Sequence, residues 1–567
     1  MSAEKLITDH IDIWTSAIQA KSASGRGSSK KRELYGIKKL RELILELAVR
    51  GKLVPQDPTD EPASVLLERI AAEKAQLVKE GKIKKQKSLL AVGKDEVAFD
   101  IPLGWQIQRL PDVYFSISPS AKKLKSSELL EEGLYPVVDQ GQEYIAGYSN
   151  DLERVICLKC PVVVFGDHTR NIKYIDFNFV PGADGTKILC PIVLDPKYFY
   201  VHLTSYDLES RGYGRHFKIL NDNLIAIPPL NEQHRIVAKV DELMALCDQL
   251  EQQTEASLDA HQVLVETLLA TLTNSQNAHE LMANWARISE HFDTLFTTEQ
   301  SIDQLKQTIL QLAVMGKLVA QNPNDEPAAK LLERIAEEKA QLVKEKKIKK
   351  QKALPPIAED EKPFELPDGW EWCRFEHIAK NEANALKAGP FGSALKKSMY
   401  VDHGFKIYGQ EQVISGDENI GDYFVNEEKY LSLESCKVQE GDILISLVGT
   451  IGKVLILSGN AQAGIINPRL VKISLFDDIC RHYIRIVLGS KLIQDELFES
   501  SHGSTMNVLN LGLLKKIMLP LPPVAEQLEI VMKVNTLGCL CDQLKQRLRD
   551  SQQTQLHLTD AIVEQAL

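Results

Sequence analysis

One 43-residue block occurs twice in this chain. Leu47–Leu89 aligns without a gap to Leu312–Leu354, and 34 of the 43 positions are identical, so one supersecondary unit is built twice. The match opens with LAVRGKLV against LAVMGKLV, passes through DPTDEPA and NPNDEPA, and ends in a lysine run. The same offset of 265 residues pairs PLGWQIQRL (Pro102–Leu110) with PDGWEWCRF (Pro367–Phe375), so Trp105 matches Trp370. A second repeat has an offset of 294: PPLNEQHRIVAKVDELMALCDQL (Pro228–Leu250) matches PPVAEQLEIVMKVNTLGCLCDQL (Pro522–Leu544). The stretch between the repeats is therefore 29 residues longer in the second half. A frame is duplicated, and the inserts it carries look unrelated.

The frame reads as helix. Ile236, Val240, Leu243, Cys247 and Leu250 follow 4-3-4-3 spacing, and Ile530, Val534, Leu537, Cys541 and Leu544 repeat it. That is a coiled-coil seam. No proline interrupts Asn231–Leu272 or Ala525–Leu567, so each predicts a helix roughly 60 Å long at about 1.5 Å per residue. Shorter helices are predicted at Leu34–Arg50 and Pro62–Lys79, with partners at Ile302–Met315 and Pro327–Lys344. Gly51 and Gly316 read as their stops. The inserts differ in character. YPVV, VICLKCPVVVFG, IKYIDFNFV and KILCPIVL in the first, and FKIYG, DILISLVGTIGKVLIL and LVKISLF in the second, are β-branched runs broken by turn residues. Each insert ends helically, around Tyr198–Tyr206 and Ile479–Glu499.

The chain's 567 residues suffice for roughly three to four domains. A net charge of −11 argues against a uniformly basic nucleic-acid coat but leaves room for a local basic surface. Nine scattered cysteines suit a reducing compartment, and no 18-residue apolar run occurs, so a cytoplasmic location is expected. The N-terminal stretch reads as a short amphipathic helix followed by a Ser/Gly/basic linker.

Catalytic signatures fail on spacing. GTIGKV (Gly449–Val454) lacks the four residues between glycines and the Ser or Thr that a P-loop needs, which leaves a tight turn. CLKC (Cys157–Cys160) has zinc-knuckle spacing, but only Cys190 is near in sequence, so structural cysteines fit better than a metal site. INPRL around Asn467 lacks the second proline and the aromatic of an amino-methyltransferase loop. No catalytic residue, metal site or cofactor is expected on this chain.

Polar loops offer binding chemistry instead. FGDHTRNIKY places Asp167, His168, Thr169, Arg170 and Asn171 at a strand-to-strand turn, and SRGYGRHFKIL adds Arg211, Arg215, His216 and Lys218. In the second insert, KAGPFGSALKKS supplies Ser393, Lys396 and Lys397, YGQEQ supplies Gln410 and Gln412, and SSHGSTMNVLN supplies Ser504, Thr505 and Asn507. Amide, hydroxyl and guanidinium groups can read base edges, while lysines anchor phosphates. The alternative for each loop is an ordinary solvated turn. The duplicated lysine runs, Lys82–Lys87 and Lys347–Lys352, read as solvated faces.

These residues together resemble the specificity subunit of type I restriction-modification systems. The resemblance rests on LAVRGKLVPQDPTDEPA and its second copy, on PPLNEQ and PPVAEQ, and on YPVVDQGQEYIAGY, GDHTR, GPFGSALK and GDILISLVGTIGKV. It spans the chain apart from Met1–Lys31 and Thr273–Thr298. It implies an α+β fold with two mixed or mostly β target recognition domains separated by long antiparallel coiled-coil helices in a pseudo-two-fold repeat. The implied divisions are a helical region at 1–100, a first recognition domain at 101–228 and a central spacer helix at 229–275. A second helical region at 276–364, a second recognition domain at 365–523 and a C-terminal spacer helix at 524–567 follow. It further implies a split double-stranded DNA target, two copies of a methylation subunit carrying S-adenosylmethionine, and motor-nuclease restriction subunits. The family pattern supplies no base contacts residue by residue. Two rival classes stay open on residues alone: a coiled-coil scaffold whose β domains bind protein, and an enzyme with a cryptic zinc or nucleotide site.

Overall fold

The computed structural model describes residues 3–21, 31–84, 89–97, 99–119, 122–182, 185–209, 212, 214–348, 354–446, 453–499 and 511–567. It comprises two compact units, 1–258 with 550–567, and 259–549.

In the first unit, helix α1 (Tyr35–Val49) buries Ile37, Leu40, Ile44 and Leu47 along one face, as their 3-and-4 spacing requires. Gly51, at φ +69°, ends that turn, and a Cβ there would meet Pro102 Cγ at 2.4 Å and the Trp105 ring at 3.0 Å. Helix α2 (Ala63–Lys79) follows. The insert then supplies β1 (Gln106–Arg109), β2 (Tyr114–Ile117), β3 (Tyr135–Val138), β4 (Gly147–Ser149), β5 (Val162–Gly166), β6 (Ile172–Ile175), β7 (Val180–Pro181) and β8 (Thr186–Pro191). Helix α3 (Pro196–Ser205) and β9 (Leu224–Ile227) close it. The strands form a four-stranded sheet ordered β2-β8-β5-β6, a three-stranded sheet β4-β3-β7 and a two-stranded ribbon β9-β1. Helix α4 (Leu230–Asn274) begins here.

The second unit repeats this plan. Helices α5 (Ala278–Glu290), α6 (Glu299–Val314) and α7 (Ala328–Lys344) lead to β10 (Glu371–Arg374), β11 (Leu386–Ala388), β12 (Phe405–Tyr408) and β13 (Phe424–Val425). Strands β14 (Ile443–Ser446), β15 (Val454–Ile456), β16 (Gly464–Ile466) and β17 (Leu470–Ile473) follow, then α8 (Arg481–Gly489), β18 (Met518–Leu521) and α9 (Val524–Ala566). The sheet orders are β11-β17-β14-β15, β13-β12-β16 and β10-β18. They match the first insert strand for strand. The parallel strand pairing recurs too, Val137 with Val180 and Val138 with Pro181 against Ile407 with Ile465 and Tyr408 with Ile466. The inserts that look unrelated as sequence thus share one fold.

The seams of the long helices are real, but their partners are not each other alone. In the first unit Ile236, Val240, Leu243 and Cys247 of α4 share a core with Leu40, Ile44 and Leu47 of α1, and Ile562, Val563 and Ala566 from the end of α9 pack on it. In the second, the end of α4 (Val265, Leu269, Leu272) shares a core with Leu305 and Ile309 of α6, packed by Val534 and Leu537 from the start of α9. Each unit therefore holds the start of one long helix and the end of the other, which is the antiparallel arrangement. Lysines close both ends: Lys52 Nζ donates to the carbonyl of Leu567, and Lys317 Nζ to that of Thr273 at 2.7 Å.

The repeated Glu-Gln pair explains why the frame is copied so closely. Trp105 Nε1 donates to Glu232 Oε2 at 3.0 Å, and Trp370 Nε1 to Glu526 Oε2 at 2.9 Å. Gln233 Nε2 donates to the Pro228 carbonyl while its Oε1 takes the amide of Asp195, which caps α3. Gln527 repeats this with Pro522 and the amide of Cys480, ahead of α8. One polar clasp ties insert, ribbon and long helix together in each unit.

Candidate nucleic-acid interface

In each insert, loops from separate parts of the chain meet at the end of the parallel strand pair. In the first insert, the loop after β3 carries Asp139, Gln140 and Gly141. The Gln140 carbonyl accepts from Asn171 Nδ2 at 3.0 Å and from Thr169 Oγ1, while Gln140 Oε1 accepts from the His168 amide at 3.1 Å. This loop is thereby locked to the β5–β6 turn. Below it, Lys173 Nζ lies 3.5 Å from Asp139 Oδ1 and donates to the Glu143 carbonyl at 2.5 Å. Burial draws the Lys173 ammonium below the ordinary lysine range, and the Asp139 charge opposes that shift. Gly182 and Gly185 come from the β7–β8 connection. A Cβ at Gly185 would come within 2.3 Å of Gln140 Oε1, and its φ of +93° lies in the region that favours glycine.

The second insert builds the same cluster from different groups. Gln410, the first residue of a short helix after β12 (Gln410–Ser415), takes the place of Gln140. Its Nε2 donates to Ser446 Oγ at 2.9 Å, at the end of β14, and its Oε1 accepts from Arg469 Nη1 at 3.1 Å. Asn467 and Arg469 lie in the β16–β17 connection, where the first insert has Gly182 and Gly185. The amide of Asn467 donates to the Tyr408 carbonyl at 2.9 Å, as that of Gly182 does to Val138 at 2.8 Å. The loop after β11 also joins here, because a Cβ on Gly389 would meet the Asn467 carbonyl at 1.8 Å. Its counterpart after β2 ends alike: Leu124 and Leu395 are both buried, and 3-10 turns follow at Ser126–Glu128 and Lys397–Met399.

The residues singled out by sequence divide accordingly. Thr169 and Arg170 are exposed and His168 and Asn171 half-buried on the β5–β6 turn, where Arg170 takes φ +66° and Nη1 donates to the Leu208 carbonyl. Arg215 and Lys218 are exposed. Ser393, Lys396 and Lys397 are exposed on the loop after β11, and Gln410 is half-buried at the cluster's centre. Three expectations are corrected. Asp167 is 3% exposed, its Oδ1 accepting from the Phe217 amide at 2.9 Å at the start of a short helix. His216 is fully buried, its Nδ1 3.0 Å from the Asp167 carbonyl. Gln412 is fully buried too, bonded to the Gly409 amide and the Ile420 carbonyl. These three build the loops from inside. Arg211, Ser504, Thr505 and Asn507 lie outside the described residues, as do Gly449–Gly452 of the GTIGKV turn. Sequence reasoning missed Gln140 and Arg469.

Among the described residues no group of three or more His, Cys, Asp or Glu side chains could hold a metal ion. Cys160 Sγ instead lies 3.4 Å from Cys190 Sγ, with Cys157 exposed nearby in sequence. What the two clusters gather is amide, hydroxyl and guanidinium groups held by the protein's own bonds, groups of the kinds that read base edges.

The family model described as Type I restriction modification DNA specificity domain matches this chain twice, at residues 102–260 and 392–551. The chain belongs to that family. As a specificity subunit it carries two recognition domains, and the two matched segments include the two loop clusters. It is 44% identical over 600 residues to the type I restriction enzyme EcoEI specificity subunit of Escherichia coli, with all of both chains covered. The EcoAI specificity subunit of Escherichia coli is 42% identical over 603 residues, again over the whole of both. A solved HsdS subunit from Thermoanaerobacter tengcongensis aligns with 83% of this chain and 98% of its own at 16% identity and a TM-score of 0.36. Among the described residues, no helix of this specificity subunit is long and apolar enough to cross a membrane.

Proposed function

We propose that this subunit reads a split double-stranded DNA sequence, one half with each insert, through the loop clusters centred on Gln140 and Gln410. The observation that carries this is the equivalence of those clusters: one scaffold, two sets of side chains. Two half-sites of different sequence need that combination. The near-identical frames would dock two copies of one methylation subunit, because identical partners need equivalent surfaces. Leu246 of α4 and its repeat counterpart Leu540 of α9 are both exposed, at 44% and 50%, and are suited to such a contact. In this reading S-adenosylmethionine sits on the methylation subunit, which flips and methylates adenine, and motor-nuclease subunits complete the restriction complex. The complex works in the cytoplasm, and the −11 charge of this chain fits a subunit that clamps DNA jointly with others.

The test is methylome sequencing of a host expressing this chain with its methylation subunit. A split motif with modified adenine in both halves is expected. Modification at a continuous motif, or none above background, would overturn the reading.

A further inference from the structure

We infer that Arg469 reads a guanine in the half-site of the second recognition domain, with Gln410 and Asn467 as its positioning residues. This rests on the recognition role proposed above.

Arg469 is exposed, and among the described residues no carboxylate pairs with it, whereas Arg41, Arg154 and Arg334 all sit in ion pairs. Its backbone is held by the Asn467 side chain, whose Oδ1 accepts from the Arg469 amide at 2.8 Å. Among the described residues its guanidinium is held at one corner, by Nη1 donating to Gln410 Oε1. Gln410 is in turn tied to Ser446 at the end of a sheet strand. A neutral amide orients the fork without neutralising it. Among the described residues one of its five N–H groups is committed to the protein, which leaves four for a ligand. A planar donor pair matches the O6 and N7 acceptors of guanine in the major groove, the commonest specific contact of arginine.

The first domain supports the assignment by contrast. The position equivalent to Arg469 is Gly185, and Gln140 fills the space that a side chain there would need. The two faces thus differ in donor type at one common point, as readers of different half-sites should. An oriented guanidinium can also take a phosphate through two parallel bonds, and the sequence dependence of binding separates the two contacts.

The test uses the complex of this chain with its methylation subunit. Methylomes of wild type, Arg469→Ala, Arg469→Lys and Gln410→Ala are compared. In the wild type, one half of the motif should carry a fixed guanine that becomes degenerate in Arg469→Ala and relaxes partly in Arg469→Lys and Gln410→Ala. The other half should stay intact. Replacing that guanine with 7-deazaguanine in a target duplex should weaken wild-type binding by between about fivefold and a hundredfold. It should cost the Arg469→Ala complex little more. If Arg469→Ala gives no soluble complex, Arg469→Lys is judged by the same criterion. The assignment is overturned if the guanine preference survives the substitution, if that half-site has no guanine, or if affinity falls evenly on all sequences as for a phosphate contact. A wild-type methylome without a split motif overturns the recognition role itself.

Discussion

Trp105 and Glu232 share a hydrogen bond of 3.0 Å between the indole N–H and a carboxylate that is 1% exposed, and Trp370 and Glu526 share its twin. Gln56 and Gln321 complete each clasp with a 3.3 Å bond to the second carboxylate oxygen. Burial pushes both carboxyls above the ordinary glutamate range, and the indole and amide bonds only partly offset it. Removing the acceptor leaves the buried Trp105 indole donor unpaired, at about 1–3 kcal/mol, whereas Gln56 is exposed and its Nε2 keeps the Gly51 carbonyl at 2.6 Å. Glu232→Ala should therefore lower the thermal midpoint by several degrees, whereas Glu232→Gln, which keeps an oxygen for the indole, should lose far less. The pH dependence is the sharper check. A raised carboxyl binds its proton more tightly folded than unfolded, so it favours folding below the ordinary glutamate value and loses that contribution as pH rises through the folded value. Calorimetry from pH 4 to 7 should show the wild type losing stability relative to Glu232→Gln as pH rises; a constant difference would refute the assignment.

His202 titrates in the opposite sense. It is fully enclosed, its Nε2 accepts from the Ala226 amide at 2.9 Å, and burial pushes its pKa down to about 4. The unfolded chain takes up this proton as pH falls through about 6.5, whereas the folded chain resists until about 4. Stability is therefore present above 6.5 and lost between 6.5 and 4, to a limit of about 3 kcal/mol. His202→Gln keeps an acceptor for Ala226 and should flatten that part of the pH–stability curve. An unchanged slope would show that other groups set it.

The frame was legible in the sequence because it speaks in local terms. Ile37, Leu40, Ile44 and Leu47 mark a helix by spacing alone, and Gly51 marks its end. Duplication then doubled the signal. The shared fold of the inserts was not legible, because strands of two to six residues such as Val180–Pro181 and Thr186–Pro191 acquire register only from distant partners. For the same reason the site was half seen. His168–Asn171 and Gln410 were found as polar loops, but Arg469 joins Gln410 from 59 residues away. Asp167, His216 and Gln412 had suitable chemistry at a suitable place in the chain. Their burial depends on the short helix at Phe217–Asn221 and on the Ile420 carbonyl, which no local pattern announces.

The first recognition domain should be portable as Trp105–Ile227. At its ends Trp105 is bonded to Glu232 of the frame, and β1 and β9 pair with each other, Gln106 with Ile227. Replacing that segment with the equivalent domain of another family member, with Trp105 and the proline pair kept, should change one half of the methylated motif and spare the other. Simultaneous change of both halves would show that the domains do not read independently.

Helix α4 should set the gap between half-sites. Its buried seam ends near Cys247 and resumes at Val265, and between them Glu255, Ala256 and Ser257 are exposed where the first unit gives way to the second at Leu258. Residues added there displace no core side chain. Duplicating Thr254–Ser257 adds about 6 Å at roughly 1.5 Å per residue, and DNA rises about 3.4 Å per base pair. The gap should widen by about two base pairs. Four residues also turn the helix by roughly 40° beyond a full turn, against about 70° for two base pairs at roughly 10.5 per turn. The remaining mismatch of about 30° has to be taken up by twisting of the long helices. The same half-sequences should then be methylated at the wider spacing, read directly from the methylome. An active insertion variant that kept the original spacing would show that some other element is the ruler.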